Sequence, residues 1–175
     1  MVIWITGISG TGKTTLAQNL FKTLKKKYKS TIYFDGDQFR SVFKNDIGYT
    51  LKDRDKNAVR LTRLVKFLSE QKINIIISAN ITSMQFRKWC RKNIKNYYEI
   101  LIEANISNLI ERDYKNIYKN SIKKKIKNVV GVDIPYRRPR GANLYITNNG
   151  SKKDFLKHSK LIHSQLKNKK SLIFY

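Results

Sequence analysis

Cysteine is nearly absent from this chain: Cys90 is the only one in 175 residues, so no internal disulfide can form. Its neighbours Trp89 and Arg91 on a helix-like stretch suggest a packed thiol without a redox task. Proline is as scarce, with Pro135 and Pro139 only, both inside one stretch near the end of the chain. No apolar run reaches the length of a membrane span, and the first residues enter a strand-like run with no positive leader before it. A soluble, cytoplasmic protein with no membrane partner is expected. The two histidines, His158 and His163, lie five apart, which does not place them on one helical face, so they are read as surface or packing residues and not as metal ligands.

Acidic residues are also few. Twelve Asp and Glu stand against 37 Lys and Arg, a formal charge of +25. Lys25-Lys26-Lys27, Lys123-Lys124-Lys125 and the tail lysines Lys169 and Lys170 could form a nucleic-acid footprint. The basic residues are spread along the whole chain, however, and no helix-turn-helix, zinc-ligand or aromatic RNA-reading motif accompanies them. The charge is read instead as a solvated basic surface suited to an anionic small molecule, with no nucleic-acid partner.

Hydrophobic residues make up 41% of the chain, enough for one domain over residues 1–175, and neither a repeat nor a linker divides it. Strand-like runs occur at Met1–Ile5, Thr31–Asp35, Ile73–Ala79, Tyr97–Glu103 and, more weakly, Asn143–Thr147. Between the second and third, Ala58, Leu61, Leu64, Val65 and Leu68 recur at helical spacing and predict a helix from about Asp53 to Gln71. Ser151 and Asp154 resemble a capping box, and Phe155, Leu161, Ile162 and Leu166 continue it into a terminal helix. This alternation predicts an α/β fold: a mostly parallel five-stranded sheet with helices on both faces. Residues 112 to 140, basic and containing both prolines, are too long for an ordinary connection and are expected to form a lid, although their composition would also suit a disordered loop.

The most specific feature is Gly7-Ile-Ser-Gly-Thr-Gly-Lys-Thr14, a complete G-x-x-x-x-G-K-T phosphate loop between a strand and a helix. Gly7, Ser9, Gly10, Thr11, Gly12, Lys13, Thr14 and Thr15 are therefore expected to bind ATP. Lys13 would reach the β- and γ-phosphates, and the Thr14 hydroxyl would ligate Mg²⁺. At the end of the second strand, Asp35-Gly-Asp37-Gln-Phe-Arg40 should open into the same crevice. If the backbone stays extended, both carboxylates face one way, one to hold hydrated metal and the other to accept a proton from an attacking hydroxyl. Arg40 suits an anionic group. Taken alone, the same residues would also fit a surface D-G turn.

Taken together with Asp46-Ile-Gly-Tyr49, Asp53-Arg54, Asn57, Arg112-Asp-Tyr-Lys-Asn-Ile-Tyr118 and Gly131-Val-Asp-Ile-Pro-Tyr136, these blocks resemble the adenylyl-sulfate kinase family from Val2 to about Asn148. The resemblance implies a P-loop kinase fold, commonly dimeric, that transfers the ATP γ-phosphoryl group to a ribose 3′-hydroxyl of a nucleotide conjugate. It implies Asp37 as base, Asp35 on the metal side, and Arg40, Tyr49, Arg54, Asn57 and Thr82 around the acceptor, with Lys127 and Asp133 in the lid. The chain departs from the family pattern at several points. An acceptor-stacking lid Phe is replaced by Val129, and the first arginine of the family's Glu-Asn-x-Arg-Arg block, an acceptor contact, by Val59. The Ile-Ser-Pro block reads Ile81-Thr82-Ser83-Met84, and the Pro-Tyr-Glu block reads Pro135-Tyr136-Arg137. Loss of a base stack and an arginine contact, each worth roughly 1–3 kcal/mol, weakens the case for adenylyl sulfate. These departures resemble a branch of the family that serves capsular polysaccharide O-methyl phosphoramidate synthesis by acting on cytidine diphosphoramidate. Ordinary adenylyl-sulfate phosphorylation and a catalytically silent nucleotide-binding or nucleic-acid-binding protein are the rival expectations.

Overall fold

The computed structural model describes residues 1–113 and 115–168, with backbone only for the last two. Tyr114 of the Arg112–Tyr118 block and the tail lysines Lys169 and Lys170 lie outside the described residues. Five strands, β1 (Val2–Thr6), β2 (Thr31–Asp35), β3 (Asn74–Ser78), β4 (Tyr97–Glu103) and β5 (Leu144–Thr147), form one sheet in the order β2-β3-β1-β4-β5. Every neighbouring pair runs parallel. All five residues of β1 and of β3 are buried, as continuous apolar strands must be when helices cover both faces.

The two-residue period of β1 sorts the core. Ile3 and Ile5 join Leu16, Leu20, Ile76, Ile100 and Ile102 beneath α1 (Lys13–Lys27) and α7 (Lys152–Asn168). Val2 and Trp4 join Leu61, Val65, Ile75, Ile77 and Cys90 beneath α3 (Leu51–Glu70) and α4 (Met84–Asn93). The Trp4 indole N–H reaches the Ala79 carbonyl at 2.9 Å, so this large ring is buried without an orphaned donor. Cys90 is fully buried, and that burial pushes its thiol up to about 12, in keeping with a packed and unreactive side chain. His158 packs edge-on to Phe155 at 6.2 Å.

Helix ends follow the sequence closely. Thr50 and Asp53 form a reciprocal capping box that starts α3 two residues before the periodicity suggested. Ser151 and Asp154 bond each other at the start of α7. The stretch from Asp35 to Arg40 differs from expectation: α2 (Gly36–Val42) begins immediately after β2, with Asp35 as its N-cap, so the backbone between the two aspartates is helical and not extended. Asp35 accepts the Asp37 amide at 3.0 Å, and that cap turns the chain.

Residues 112 to 140 do not form a loose basic loop. After α5 (Ile106–Glu111) they contain α6 (Ile117–Ile122) and an isolated parallel bridge between Val130 and Ile134. Leu109, Tyr118, Val129, Val130 and Ile134 bury a third apolar cluster against Ile8, on the back of the glycine-rich loop. A few well-placed apolar side chains thus anchor a segment whose average composition is polar.

Candidate active site

The glycine-rich loop leaves β1 at the carboxyl edge of the sheet, between the ends of β3 and β4. Gly7 has φ +145°, and a Cβ there would lie 2.3 Å from the Ile102 carbonyl oxygen of β4. At Gly12, φ +97°, a Cβ would lie 2.9 Å from side-chain atoms of both Phe155 and Asn148, and this glycine caps α1 from the left-handed region. Side chains tie off the loop carbonyls. The Thr11 hydroxyl and the Lys13 ammonium donate to Ile8 O at 2.9 and 2.8 Å, Tyr118 donates to Ser9 O at 2.8 Å, and Asn148 donates to Thr11 O at 3.0 Å. A loop held through its carbonyls keeps its amides for phosphate, and the N-terminus of α1 adds to that field. Burial lowers Lys13 to about 8, opposed by the charges of Asp37 and Asp35 and assisted by Lys115.

Beside the loop, the Asp35 carboxylate collects hydroxyls. It accepts from Ser78 at 2.7 Å, Thr14 at 2.9 Å and Tyr33 at 3.1 Å. Burial alone would raise its pKa; the hydrogen bonds from Ser78, Thr14, the Asp37 amide and Tyr33 outweigh that and hold it below the usual carboxylate value. Burial also pushes the Tyr33 phenol up to about 12, so it stays a neutral donor. The Thr14 hydroxyl and an ionised Asp35 side by side are hard oxygen donors of the kind Mg²⁺ takes when phosphates and water supply its other ligands. Among the described residues no cluster of three or more His, Cys, Asp or Glu offers a full protein cage for a metal.

Asp37 is mostly exposed and reaches across the crevice to Lys115, whose ammonium lies 2.6 Å from its Oδ2. The crevice has a volume of about 900 Å³. Ser9, Gly10, Gly12, Lys13, Thr14, Thr15, Asp35, Asp37, Arg40, Tyr49, Arg54, Asn57 and Lys127 all line it. Gly7, Thr11, Thr82 and Asp133 do not: Gly7 and Thr11 shape the loop from behind, Thr82 stands outside the lining, and Asp133 turns its carboxylate back to accept the amides of Asn128 and Val129.

On the far wall, Arg40 lines the crevice and also serves its own loop. Its guanidinium is buried, donates to Gly48 O at 2.9 Å and Ile47 O at 3.3 Å, and stacks 4.6 Å over the Tyr49 ring. It thereby builds the Tyr49 loop and covers a face of that ring. Arg54 lies 5.6 Å from the ring and donates to Tyr49 O and to Asn128 O, linking α3 to the segment that carries Val129. Arg60 holds Asp46 through two 2.7 Å bonds and completes the brace. Val129 lines the crevice, whereas Val59 is exposed on α3 and absent from the lining.

Sequence reasoning gave no role to Lys115, Arg112, Ser78, Tyr33, Asn80 or Asn148, all of which line or brace this crevice. For Lys115 and Arg112 a signal existed, because both stand in the Arg112–Tyr118 block. Ser78 meets Asp35 only through the pairing of β2 with β3, whereas Tyr33 stands two residues before Asp35 on β2 and shares its face by the strand period.

A family model for adenylylsulphate kinase matches residues 1–147. Cytidine diphosphoramidate kinase of Campylobacter jejuni is 40% identical over 148 residues, covering 85% of this chain and 86% of that protein. A probable adenylyl-sulfate kinase of Pseudomonas aeruginosa is 34% identical over 145 residues, covering 83% and 68%. Among solved structures, the Mycobacterium tuberculosis APS kinase in complex with AMPPNP and APS superposes with a TM-score of 0.84 at 25% identity, over 95% of this chain and 97% of that one.

Proposed function

The chain belongs to the adenylyl-sulfate kinase family and is an ATP-dependent kinase, and from that premise we propose that it phosphorylates the ribose 3′-hydroxyl of cytidine diphosphoramidate. One observation carries the choice of acceptor: Val129, at the position where the family pattern has a stacking Phe, lines the crevice with a small aliphatic side chain. A single-ring base needs less stacking surface than adenine, and a wall of this kind cannot stack at all. The 40% identity to a kinase of that substrate points the same way.

In this reading residues 1–175 are one kinase domain with residues 112 to 140 as its lid, and the loop amides with Lys13 hold the β- and γ-phosphates. Thr14 and Asp35 would hold Mg²⁺, which would offset phosphate charge. Asp37 accepts the proton of the 3′-hydroxyl as that oxygen attacks the γ-phosphorus of ATP, and the bond to the β–γ bridging oxygen breaks to release ADP. Arg40, Arg54, Asn57 and Lys127 line the crevice toward the acceptor, and Arg40 also stacks on Tyr49. Dimer formation, a cytoplasmic location and a role in capsular polysaccharide O-methyl phosphoramidate synthesis belong to the same proposal.

Side-by-side kinetics with cytidine diphosphoramidate and adenylyl sulfate test it. The expected result is a higher kcat/KM for the cytidine compound. Turnover of adenylyl sulfate near about 10⁵ M⁻¹s⁻¹ with none of the cytidine compound would overturn the choice of acceptor and leave an adenylyl-sulfate kinase.

A further inference from the structure

The cations of this chain are spread over it, but the acids are not. Of twelve Asp and Glu, Glu99 is buried in β4 and paired with Arg87 and Arg91. Ten more lie on the crevice side of the sheet, at strand ends, in the connections beyond them or in the first two turns of the helices that follow. Glu70 alone stands at the opposite, amino edge, where α3 ends, and Lys66 pairs with it. That edge is otherwise of one sign, and the topology sets out its cations. Lys29, Lys72 and Lys95 each stand two residues before a strand, β2, β3 and β4. Because the strands are parallel, the three share one edge, in a row set by the order β2-β3-β1-β4 and a strand spacing of about 4.8 Å. Lys26 and Lys27 in the last turn of α1 and Lys92 in that of α4 flank the row, and all six lysines are exposed. A helix dipole accounts for cations in a last turn, but it calls for no surface from which acids are excluded.

A second observation meets the first. α7 packs beside α1, runs the same way, and brings the chain to this edge at Asn168. The sequence then reads Lys169-Lys-Ser-Leu-Ile-Phe-Tyr175, two more cations followed by four aliphatic or aromatic residues. From this pairing we infer that the amino edge, together with residues 169 to 175, binds the surface of an anionic lipid membrane. Each lysine near such a surface is attracted to its headgroups, and aliphatic and aromatic residues supply the second signal that a lasting interfacial contact needs. A nucleic acid would answer the charge alone, since Leu172 and Ile173 offer it neither a stacking face nor a hydrogen bond. No helix among the described residues is long and apolar enough to cross a membrane, and a surface contact needs none. The inference departs from the expectation of no membrane partner, which rested on the absence of a spanning run. The crevice opens at the other end of every strand, so the bound chain keeps it in solvent, and none of the six lysines lines it.

Co-sedimentation of the full chain with phosphatidylcholine vesicles, with and without phosphatidylglycerol, tests it. No nucleotide or acceptor is present, so the result is independent of the proposed reaction. Binding is expected on the anionic vesicles only, weakening as salt rises. Lys29→Glu, Lys72→Glu and Lys95→Glu together are expected to weaken it about 100-fold or more. The same change of charge at Lys123→Glu, Lys124→Glu and Lys125→Glu, next to the crevice-lining Ile126, is expected to weaken it less than about 3-fold. Leu172→Ser, Ile173→Ser and Phe174→Ser together are expected to weaken it about 10-fold or more. Circular dichroism and thermal melts certify that each variant is folded. Equal binding to neutral vesicles, equal losses for the two lysine sets, or wild-type affinity after the Leu-Ile-Phe change would overturn the assignment. Tighter binding to a DNA or RNA oligonucleotide through Lys29, Lys72 and Lys95 would overturn it in favour of a nucleic acid.

Discussion

The two walls of the crevice are built on different principles. The phosphate wall is fixed by tight packing: Gly7 has no room for a Cβ, four side chains tie off loop carbonyls, and Asp35 is held by three hydroxyls and an amide. The acceptor wall is fixed by charge and exposed rings. Tyr49 is about half exposed, with Arg40 and Arg54 against its ring and Arg60 clamping Asp46 from outside. A wall made of backbone and buried hydrogen bonds tolerates almost no change, whereas one made of long cationic side chains over an open ring can be re-tailored residue by residue. ATP is common to the family and its acceptors differ, and the division of labour follows that split.

The contrast breaks most sharply at Asp37, which is exposed like the acceptor wall and is proposed above as the base in phosphoryl transfer. Asp37→Asn is expected to lower kcat by about 10²–10⁴-fold with a small change in acceptor KM, since Asn keeps the shape but takes no proton. Steady-state kinetics decide it. A rise in KM alone would make Asp37 a binding residue, and Asp35→Asn would be examined next. On the rigid wall, Lys13→Ala is expected to cost about 10²–10³-fold in kcat/KM, the scale for removing one preorganised charge from a transferring group. Because Lys13 also bonds Ile8 O, circular dichroism and a thermal melt should accompany the assay, and more than about a tenth of wild-type kcat/KM would contradict the assigned role.

The two walls also differed in how far they could be read from the sequence. The G-x-x-x-x-G-K-T spacing is a backbone requirement and carries its own geometry, so Lys13, Thr14 and the start of α1 were legible residue by residue. The sheet was legible because continuous apolar strands alternating with a helical period admit few arrangements. The loop contacts of Arg40 were not, because they depend on where Ile47 and Gly48 return, and nothing local encodes that. Val59 was read only as the place of a family arginine, and its exposure on α3 outside the crevice lining is set by the fold and not by any local pattern. Lys115 pairs with a residue 78 positions away, beyond the reach of any local pattern.

The acceptor wall is where specificity should move with a modest substitution. Val129→Phe is expected to rebuild a stacking face toward Tyr49 and improve kcat/KM for adenylyl sulfate relative to cytidine diphosphoramidate by roughly 1–3 kcal/mol at best. Adding Val59→Arg is expected to do little more, because position 59 lies outside the crevice lining and its charge would stay in solvent. Competition between the two acceptors measures both effects. A large synergy in the double variant would mean that α3 turns position 59 toward the acceptor when the site closes, and the single-state picture of this wall would fail.

The smallest expected effect comes from the rigid wall and concerns protons. Lys13 titrates at about 8 in the folded chain against an ordinary 10.5, because burial costs its charged form more than Asp37 and Asp35 return. Its pKa is therefore lowered on folding. Below about 8 the lysine is charged whether the chain is folded or not, and folding does not depend on pH through this group. Between about 8 and 10.5 the unfolded chain keeps the proton and the folded chain loses it, so this group favours folding more as pH rises. Nucleotide binding runs the other way. Phosphates favour charged Lys13, so affinity for AMPPNP should be flat below pH 8 and should fall above it by at most about tenfold per pH unit, with proton uptake on binding. Calorimetry at pH 7, 8 and 9 in buffers of different ionisation enthalpy reads both quantities. Replacing Lys13 with Arg, which stays charged across that range, should abolish the pH dependence, and a decline that survives the replacement would assign the proton to another group.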